Sequence, residues 1–376
     1  MKVEKNCIFH IPCFISADGK SGSQIRPQKM IEAFKKNGYH VDIVMGYGKE
    51  RKKQIQYIKQ NIEKGKKYDF LYSESSTMPT LLTEKNHLPC YPFLDFSFFA
   101  YCKKKGINIG LFYRDIHWKF EKYKEIVPWY KRMFSIQMYK YDLRKYLKLV
   151  DILYLPSIEM KKYISEYRFS KVRVLPPGAL LEEEVIEKRK NYFLSNKNNE
   201  LKIFYVGGVT GIYDLRSVLK AIKDKENVYM TICCRENEWE KNKEFYDSCL
   251  TERITIVHET GENLKKLYLK SDICSCFFPL SEYMSFAVPI KLFEYIGNVT
   301  PVIVTKGTVA GKFVEKFGNG ISVPYDIEKL SNAIEEVLNN RGMLIEMHEN
   351  ACNCLEQNTW KCRALQVEKD LKGELK

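Results

Sequence analysis

The 376-residue sequence contains no apolar run near the ~18 to 20 residues that a membrane span needs. Its opening, Met1 to Asn6, leads only into a short strand-like segment, so no targeting or spanning segment is expected and a cytoplasmic location is the expectation. None of the 12 cysteines forms a Cys-x-x-Cys pair, and no Cys/His cluster has zinc spacing. That excludes a zinc ribbon or a disulfide-stapled scaffold and reads as reduced, mostly core thiols. Disorder is excluded as well, because 45% of the residues are hydrophobic and 29% charged, near the averages of soluble globular proteins. The length is about twice that of an ordinary domain, which points to two.

Acidic residues are scarce in one half only. Residues 1 to 180 carry 34 Lys and Arg against 17 Asp and Glu, whereas residues 181 to 376 carry 27 against 30. The overall formal charge of +14 therefore resides in the first half. Within it, residues 101 to 150 hold 13 basic and 4 acidic side chains, interleaved with Phe120, Tyr123, Trp129, Tyr130, Phe134, Tyr139, Tyr141 and Tyr146. Three readings fit that stretch: a helix pair with aromatics inside and lysines in water, an anionic membrane surface, or nucleic acid, which is not the partner expected.

Periodicity organises the chain into strand–helix repeats. Asn6 to Ile11 reads as a buried strand, followed by a Gly/Ser loop over Asp18 to Ser23, a helix with Pro27 in its first turn, and a strand at His40 to Met45. Further strands are expected at Tyr68 to Tyr72, Ile109 to Tyr113, Ile152 to Leu155 and Val172 to Leu175. Pro176-Pro177-Gly178 and the polar stretch Arg189 to Glu200, with Ser195-Asn196-Lys197-Asn198-Asn199, mark a boundary. Beyond it, strands are expected at Leu201 to Val206, Val228 to Cys233, Ile254 to Val257, Ile273 to Phe277, Val302 to Val304 and Gly320 to Val323. The expected fold is α/β, with two Rossmann-like parallel-sheet domains facing a central cleft. Open parallel sheets bind ligands outside the carboxyl ends of their strands.

The most specific segment is Val288-Pro289-Ile290-Lys291-Leu292-Phe293-Glu294-Tyr295-Ile296-Gly297, followed by Thr300-Pro301-Val302-Ile303-Val304. A lysine near a helix start sets a point charge beside free N–H groups, an arrangement that favours an anion such as a diphosphate. Glu294, one turn later, can accept hydrogen bonds from ligand hydroxyls. By spacing alone, Lys291 and Glu294 could equally be a solvated helix pair.

This segment resembles the nucleotide-sugar-binding segment of GT-B glycosyltransferases of the family 4 type. At lower specificity, Gly22-Ser23-Gln24-Ile25-Arg26 resembles that family's first glycine-bearing loop over the donor, and Tyr205-Val206-Gly207-Gly208 the loop opening its nucleotide domain. Asn358-Thr359-Trp360 and the amphipathic segment after it resemble the family's last helix, which crosses back to the first domain. The resemblance implies an acceptor-binding domain at 1–180, a nucleotide-sugar-binding domain at 181–358 and a crossing helix at 359–376. It implies substrate contacts from Gly22, Ser23, Arg26, Gly208, Arg235, Pro289, Glu294 and Tyr295. Catalytic roles fall to Lys291 and to Asp115 or His117, which follow a strand in Tyr113-Arg114-Asp115-Ile116-His117-Trp118 and could deprotonate an acceptor hydroxyl. Glu74 is a weaker candidate for acceptor contact.

Two positions depart from the family pattern. Where better-known members carry a Glu eight residues before the one matching Glu294, this chain has Phe286, with Glu282 nearby, and the usual Arg after the second-domain strand is Gly208. Arg235 is the replacement cation expected. No Asp-x-Asp triplet occurs, so no metal and no cofactor is expected beyond the nucleotide sugar as co-substrate. The expected activity is transfer of a sugar from a nucleotide-diphosphate sugar to a hydroxyl acceptor, with retention, the acceptor being a saccharide or lipid-linked saccharide of bacterial surface polysaccharide synthesis. The expected site is peripheral on the inner face of the membrane. A nucleotide-sugar epimerase on the same fold, and a polyanion binder resting on the basic half, are the competing readings.

Overall fold

A computed structural model describes residues 4–16, 19, 22–195 and 199–373. Parts of the expected Gly/Ser loop (17, 18, 20 and 21), three residues of the polar stretch (196–198) and residues 374–376 lie outside the described residues. The chain separates into two compact units. The first runs to Pro177 and regains the chain from Trp360 onward, and the second spans Gly178–Thr359.

All six strands of the first unit are parallel: β1 (Lys5–His10), β2 (Tyr39–Val44), β3 (Phe70–Glu74), β4 (Asn108–Phe112), β5 (Ile152–Leu155) and β6 (Val172–Val174), in the order β2-β1-β3-β4-β5-β6. The central strand β3 is buried along its whole length, as expected where helices cover both faces, whereas edge strand β2 alternates at His40. The first helix starts earlier than expected, at Gly22, and runs to Lys36. Pro27 therefore lies in its second turn and has no N–H to give to the carbonyl one turn back.

The closing helix Trp360–Lys372 belongs to this unit. Its stripe Trp360, Ala364, Val367 and Leu371 recurs at helical spacing and is buried, each larger side chain contributing about 1.5–3 kcal/mol. Polar ties fix its register: Arg363 Nε donates to the Pro177 carbonyl at 3.1 Å, and the Leu371 carbonyl accepts from Asn108 Nδ2 at 2.7 Å.

In the second unit β7 (Leu201–Val206), β8 (Val228–Cys233), β9 (Ile254–Val257), β10 (Ile273–Cys276), β11 (Val302–Thr305) and β12 (Gly320–Val323) are again parallel. Their order is β12-β11-β10-β7-β8-β9, so the reversal falls between β7 and β10. In the first unit it falls between β1 and β3. Such reversal points leave a crevice at the carboxyl ends of the strands, where open α/β sheets take their ligands.

Candidate active site

The helix Ile290–Gly297 begins beyond the end of β10, with Pro289 at its N-cap and Lys291 in its first turn. Lys291 Nζ donates to Tyr205 Oη at 2.5 Å, from the end of β7, and lies 4.0 Å from the Tyr213 ring centroid, 4.4 Å from that of Tyr205 and 5.2 Å from that of Phe278. The cation is thus walled by ring faces, which attract it electrostatically. Burial lowers its pKa to about 8, against the opposing pull of Cys276, Glu294 and Glu238.

The loop after β7 is shaped around this ammonium. Gly207 has φ +138°, and a Cβ there would lie 2.3 Å from Lys291 Nζ, so a side chain would be both strained and in collision. Tyr205 Oη in turn donates to the Gly208 carbonyl. Glu238 closes the loop from outside: its Oε1 accepts from Val209 N at 2.9 Å and Thr210 Oγ1 at 3.2 Å, and a Cβ on Gly208 would come within 3.0 Å of it.

Glu294, on the same helix as Lys291, is exposed at its outer edge. Surrounding protein nonetheless raises its pKa by desolvation, with Lys291 pulling the other way. Tyr295 needs a correction as a ligand contact. It is fully buried, with its hydroxyl accepting from Val206 N and donating to the Ser275 carbonyl, both at 3.3 Å. It ties β7 to β10. Arg235 is exposed at the start of the short helix Glu236–Glu240. Phe286 is buried edge-on against Tyr283, so that position offers no carboxylate, and Glu282 lies exposed nearby.

The first unit treats its own reversal point differently. His10, at the end of β1, has Nδ1 2.8 Å from Ser73 Oγ and Nε2 2.9 Å from Asp95 Oδ1, and Asp95 also accepts from Arg51 Nε at 3.0 Å and Nη2 at 3.1 Å. Burial raises the Asp95 pKa, but His10 and Arg51 outweigh it and hold the carboxyl below its ordinary value. The Ser–His–Asp order invites comparison with a nucleophilic triad, yet Ser73 and His10 are each 1% exposed, which keeps substrate from the hydroxyl.

Beside that cluster, Glu74 at the end of β3 is completely buried between two arginines. Its Oε1 accepts from Arg26 Nε at 3.2 Å and its Oε2 from Arg114 Nη2 at 2.9 Å. Arg26 is therefore corrected from a substrate contact to a packing one: it is 2% exposed, donates to the Leu175 carbonyl at 3.2 Å and stacks 3.5 Å from the Phe112 ring centroid. Glu74 is likewise spent inside the fold. Arg114, one residue beyond the expected strand and inside the run singled out by sequence, bridges Glu74, the Ser75 carbonyl and the Gly22 carbonyl. Gly22 and Ser23 open the first helix, half-buried.

Asp115 and His117 come together in the turn after β4. Asp115 Oδ1 accepts from the N–H groups of Ile116 at 2.6 Å and His117 at 3.1 Å, and its Oδ2 lies 3.7 Å from His117 Nδ1. His117 packs edge-on to Tyr123 and Tyr139, with 33% of its side chain exposed. Burial lowers its pKa against the pull of Asp115, so the imidazole is neutral near pH 7 and able to take a proton. Among the described residues no group of three or more His, Cys, Asp or Glu side chains is arranged to hold a metal.

Sequence reasoning missed Tyr205, Tyr213 and Phe278 as walls of the Lys291 site, and Glu238 as its latch. Aromatic residues that wall a buried cation read as core in a sequence, and Glu238 has no local signal because its partners lie 28 and 29 residues away.

Residues 187–353 match the family model described as Glycosyl transferases group 1. No curated protein matches the chain. Among solved structures, the chain is similar to sucrose-phosphate synthase from Thermosynechococcus elongatus, at TM-score 0.61 and 13% identity over 98% of this chain and 99% of that one. It is similar to Anabaena Alr3699/HepE in complex with UDP-glucose, at TM-score 0.61 and 12% identity over 98% and 99%. An α,α-trehalose 6-phosphate synthase from Burkholderia multivorans aligns at TM-score 0.60 and 10% identity over 99% and 98%. The fold is GT-B, its second unit carries a group 1 glycosyl transferase domain, and the chain is a glycosyltransferase.

Proposed function

We propose that the protein transfers a sugar from a nucleotide-diphosphate sugar to a hydroxyl of a saccharide or lipid-linked saccharide in bacterial surface polysaccharide synthesis, without a metal and with retention of configuration. The second unit holds the donor and the first the acceptor. The observation that carries this reading is Lys291 in the first turn of a helix, at the reversal point of the second sheet, with its ammonium hydrogen-bonded to a tyrosine hydroxyl and, among the described residues, in no ion pair. Helix N–H groups and a desolvated cation together suit a diphosphate, and as the glycosidic bond breaks they stabilise the charge that builds on the leaving oxygens. Alr3699/HepE has been crystallised with UDP and glucose, which supports a donor of that class.

On the acceptor side, a neutral His117 oriented by Asp115 is suited to taking the proton of an incoming hydroxyl. The absence of Asp-x-Asp from the sequence supports charge stabilisation by Lys291 and Arg235 in place of a divalent ion. The basic, aromatic first half supports an acceptor presented at an anionic membrane surface, and no described helix is long and apolar enough to cross one.

The test is a thermal-shift titration of wild type and Glu294→Ala with UDP, GDP, dTDP and CMP, with and without EDTA. One nucleoside diphosphate should raise the melting temperature by mass action, the substitution should abolish the shift and EDTA should not. A wild type unmoved by all four at millimolar concentration removes the donor assignment, and an EDTA-sensitive shift removes the metal-independent one.

A further inference from the structure

The two helices Glu121–Ile126 and Trp129–Leu149 meet at Val127-Pro128 in an elbow that places large apolar side chains outward. Ile126, Trp129, Tyr130, Met133 and Phe134 are between 48% and 69% exposed, a contiguous cluster of a kind that soluble proteins seldom leave uncovered. The longer helix is anchored at its other positions. Tyr139 Oη donates to the Thr77 carbonyl at 2.7 Å, Asp142 Oδ2 accepts from Thr80 N at 2.7 Å, and Leu143 and Tyr146 are buried. The elbow itself is braced: Tyr123 Oη lies 2.7 Å from Ser135 Oγ, and Arg132 Nη1 donates to the Lys124 carbonyl at 3.0 Å. The outward apolar tip is therefore held in place by its own supports.

Around the tip stand Lys122, Lys124, Lys131 and Arg132, against Glu121 and Glu125, and Glu121 is already paired to Lys124. Aromatic and aliphatic side chains with a basic surround match the headgroup level of an anionic bilayer, where rings sit at the interface and ammonium groups meet lipid phosphates. The first turn of Trp129–Leu149 is exposed on nearly every side, the form of a tip that enters a soft surface and not of a face that fills a groove.

We infer that this elbow is the membrane-docking element of the protein, with Trp129, Tyr130, Met133 and Phe134 entering an anionic leaflet and Lys122, Lys124, Lys131 and Arg132 binding its headgroups. The inference deepens the membrane-facing part of the proposed function. It also explains the position of the tip: Tyr123, three residues before Ile126, packs against His117 at 5.3 Å between ring centroids, so an acceptor held in the leaflet is delivered next to that imidazole.

The protein carries its own reporter. Of its four tryptophans, Trp118, Trp239 and Trp360 are 5%, 7% and 6% exposed, whereas Trp129 is 66% exposed. Titrating the full chain with vesicles of phosphatidylcholine mixed with phosphatidylglycerol should blue-shift the emission, and phosphatidylcholine alone should not. Trp129→Phe should remove the shift while vesicle flotation persists. Lys122→Glu combined with Lys124→Glu and Lys131→Glu should weaken flotation at least about hundredfold, since each basic group near an anionic leaflet is worth about fivefold. Trp129→Ala with Phe134→Ala should weaken it too, whereas Tyr57→Ala, equally exposed elsewhere on the first unit, should not.

The inference is overturned by any of three results. These are no shift and no flotation with the mixed vesicles, binding that survives both sets of elbow substitutions, or a light-scattering mass of two chains that the elbow substitutions reduce to one. Nucleoside-diphosphate binding, read on the same variants without lipid, should be unchanged, so loss of docking and loss of the donor reading are separately visible.

Discussion

The two reversal points of this molecule arise from the same parallel-sheet topology and are filled in opposite ways. In the first unit the crevice between β1 and β3 is filled by His10, Ser73, Asp95 and Arg51, with Glu74 clamped between Arg26 and Arg114 beside it. In the second, the crevice between β7 and β10 holds a lysine whose ordered neighbours are a hydroxyl and three aromatic rings. A buried charge must be compensated, and the two units compensate theirs from different sources. The first satisfies its charges with its own side chains. The second leaves the compensation incomplete, which is the condition under which an incoming anion gains most.

If that contrast holds, substitutions at the two crevices should separate stability from binding. The largest effect is expected from Asp95→Ala, which takes from buried Arg51 its two closest carboxylate contacts, leaving only Glu84 at 3.8 Å, and should cost about 3–5 kcal/mol, read as an earlier midpoint in urea denaturation. Lys291→Ala should do the reverse: nucleoside-diphosphate binding and turnover should fall about 10²- to 10³-fold, with the melting temperature of the unliganded protein unchanged or raised. Equal losses of stability in both variants would break the comparison. Gly207→Ala should come next, at about 1–3 kcal/mol of backbone strain together with weakened nucleotide binding, because its Cβ would displace the Lys291 ammonium.

Titration sharpens the same contrast. Since Lys291 has a pKa near 8, diphosphate affinity should decline as pH rises from 7 to 9, whereas the residual affinity of Lys291→Ala should be flat over that range, as followed by calorimetry. The lowered folded-state value also means that the unfolded chain binds this proton more tightly above pH 8. The unliganded protein should therefore gain stability from this group as pH rises toward the ordinary lysine range.

A separate, pH-dependent contrast belongs to Asp142 in the first unit, whose carboxyl burial pushes up to about 7 against the Thr80 N–H. Here the folded state binds the proton more tightly, so the contribution is complete below pH 4 and is lost as pH rises toward 7. Asp142→Asn, which keeps an oxygen for Thr80, should flatten that slope in melts taken between pH 4 and 8.

All twelve strands were legible in the sequence, because parallel strands covered on both faces read as short continuous apolar runs between turn residues. The helix of Lys291 and Glu294 was legible too, since its chemistry is carried by neighbours within one turn. Arg26 and Tyr295 were expected to contact substrate, and both are buried with partners inside the fold. A sequence shows that a guanidinium or phenol is near a crevice, but whether it faces ligand or core depends on partners such as Glu74, 48 residues from Arg26, or Val206, 89 residues from Tyr295. The exposed aromatics of the elbow show the same limit. Trp129 and Phe134 lie outside while Tyr139 and Tyr146 lie inside, and the basic, aromatic composition is the same for both sets.

By itself the sequence determined the α/β class, the strand positions, the uneven charge of the halves and the anion-suited start of Ile290–Gly297, because each of these depends on residues close together in the chain. Which strands neighbour one another, which crevice is filled by its own ion pairs, and which buried cation has a hydroxyl and ring faces around it were decided by tertiary structure alone. Those outcomes depend on desolvation and on pairing, and both are set by residues that meet only when the sheets have formed.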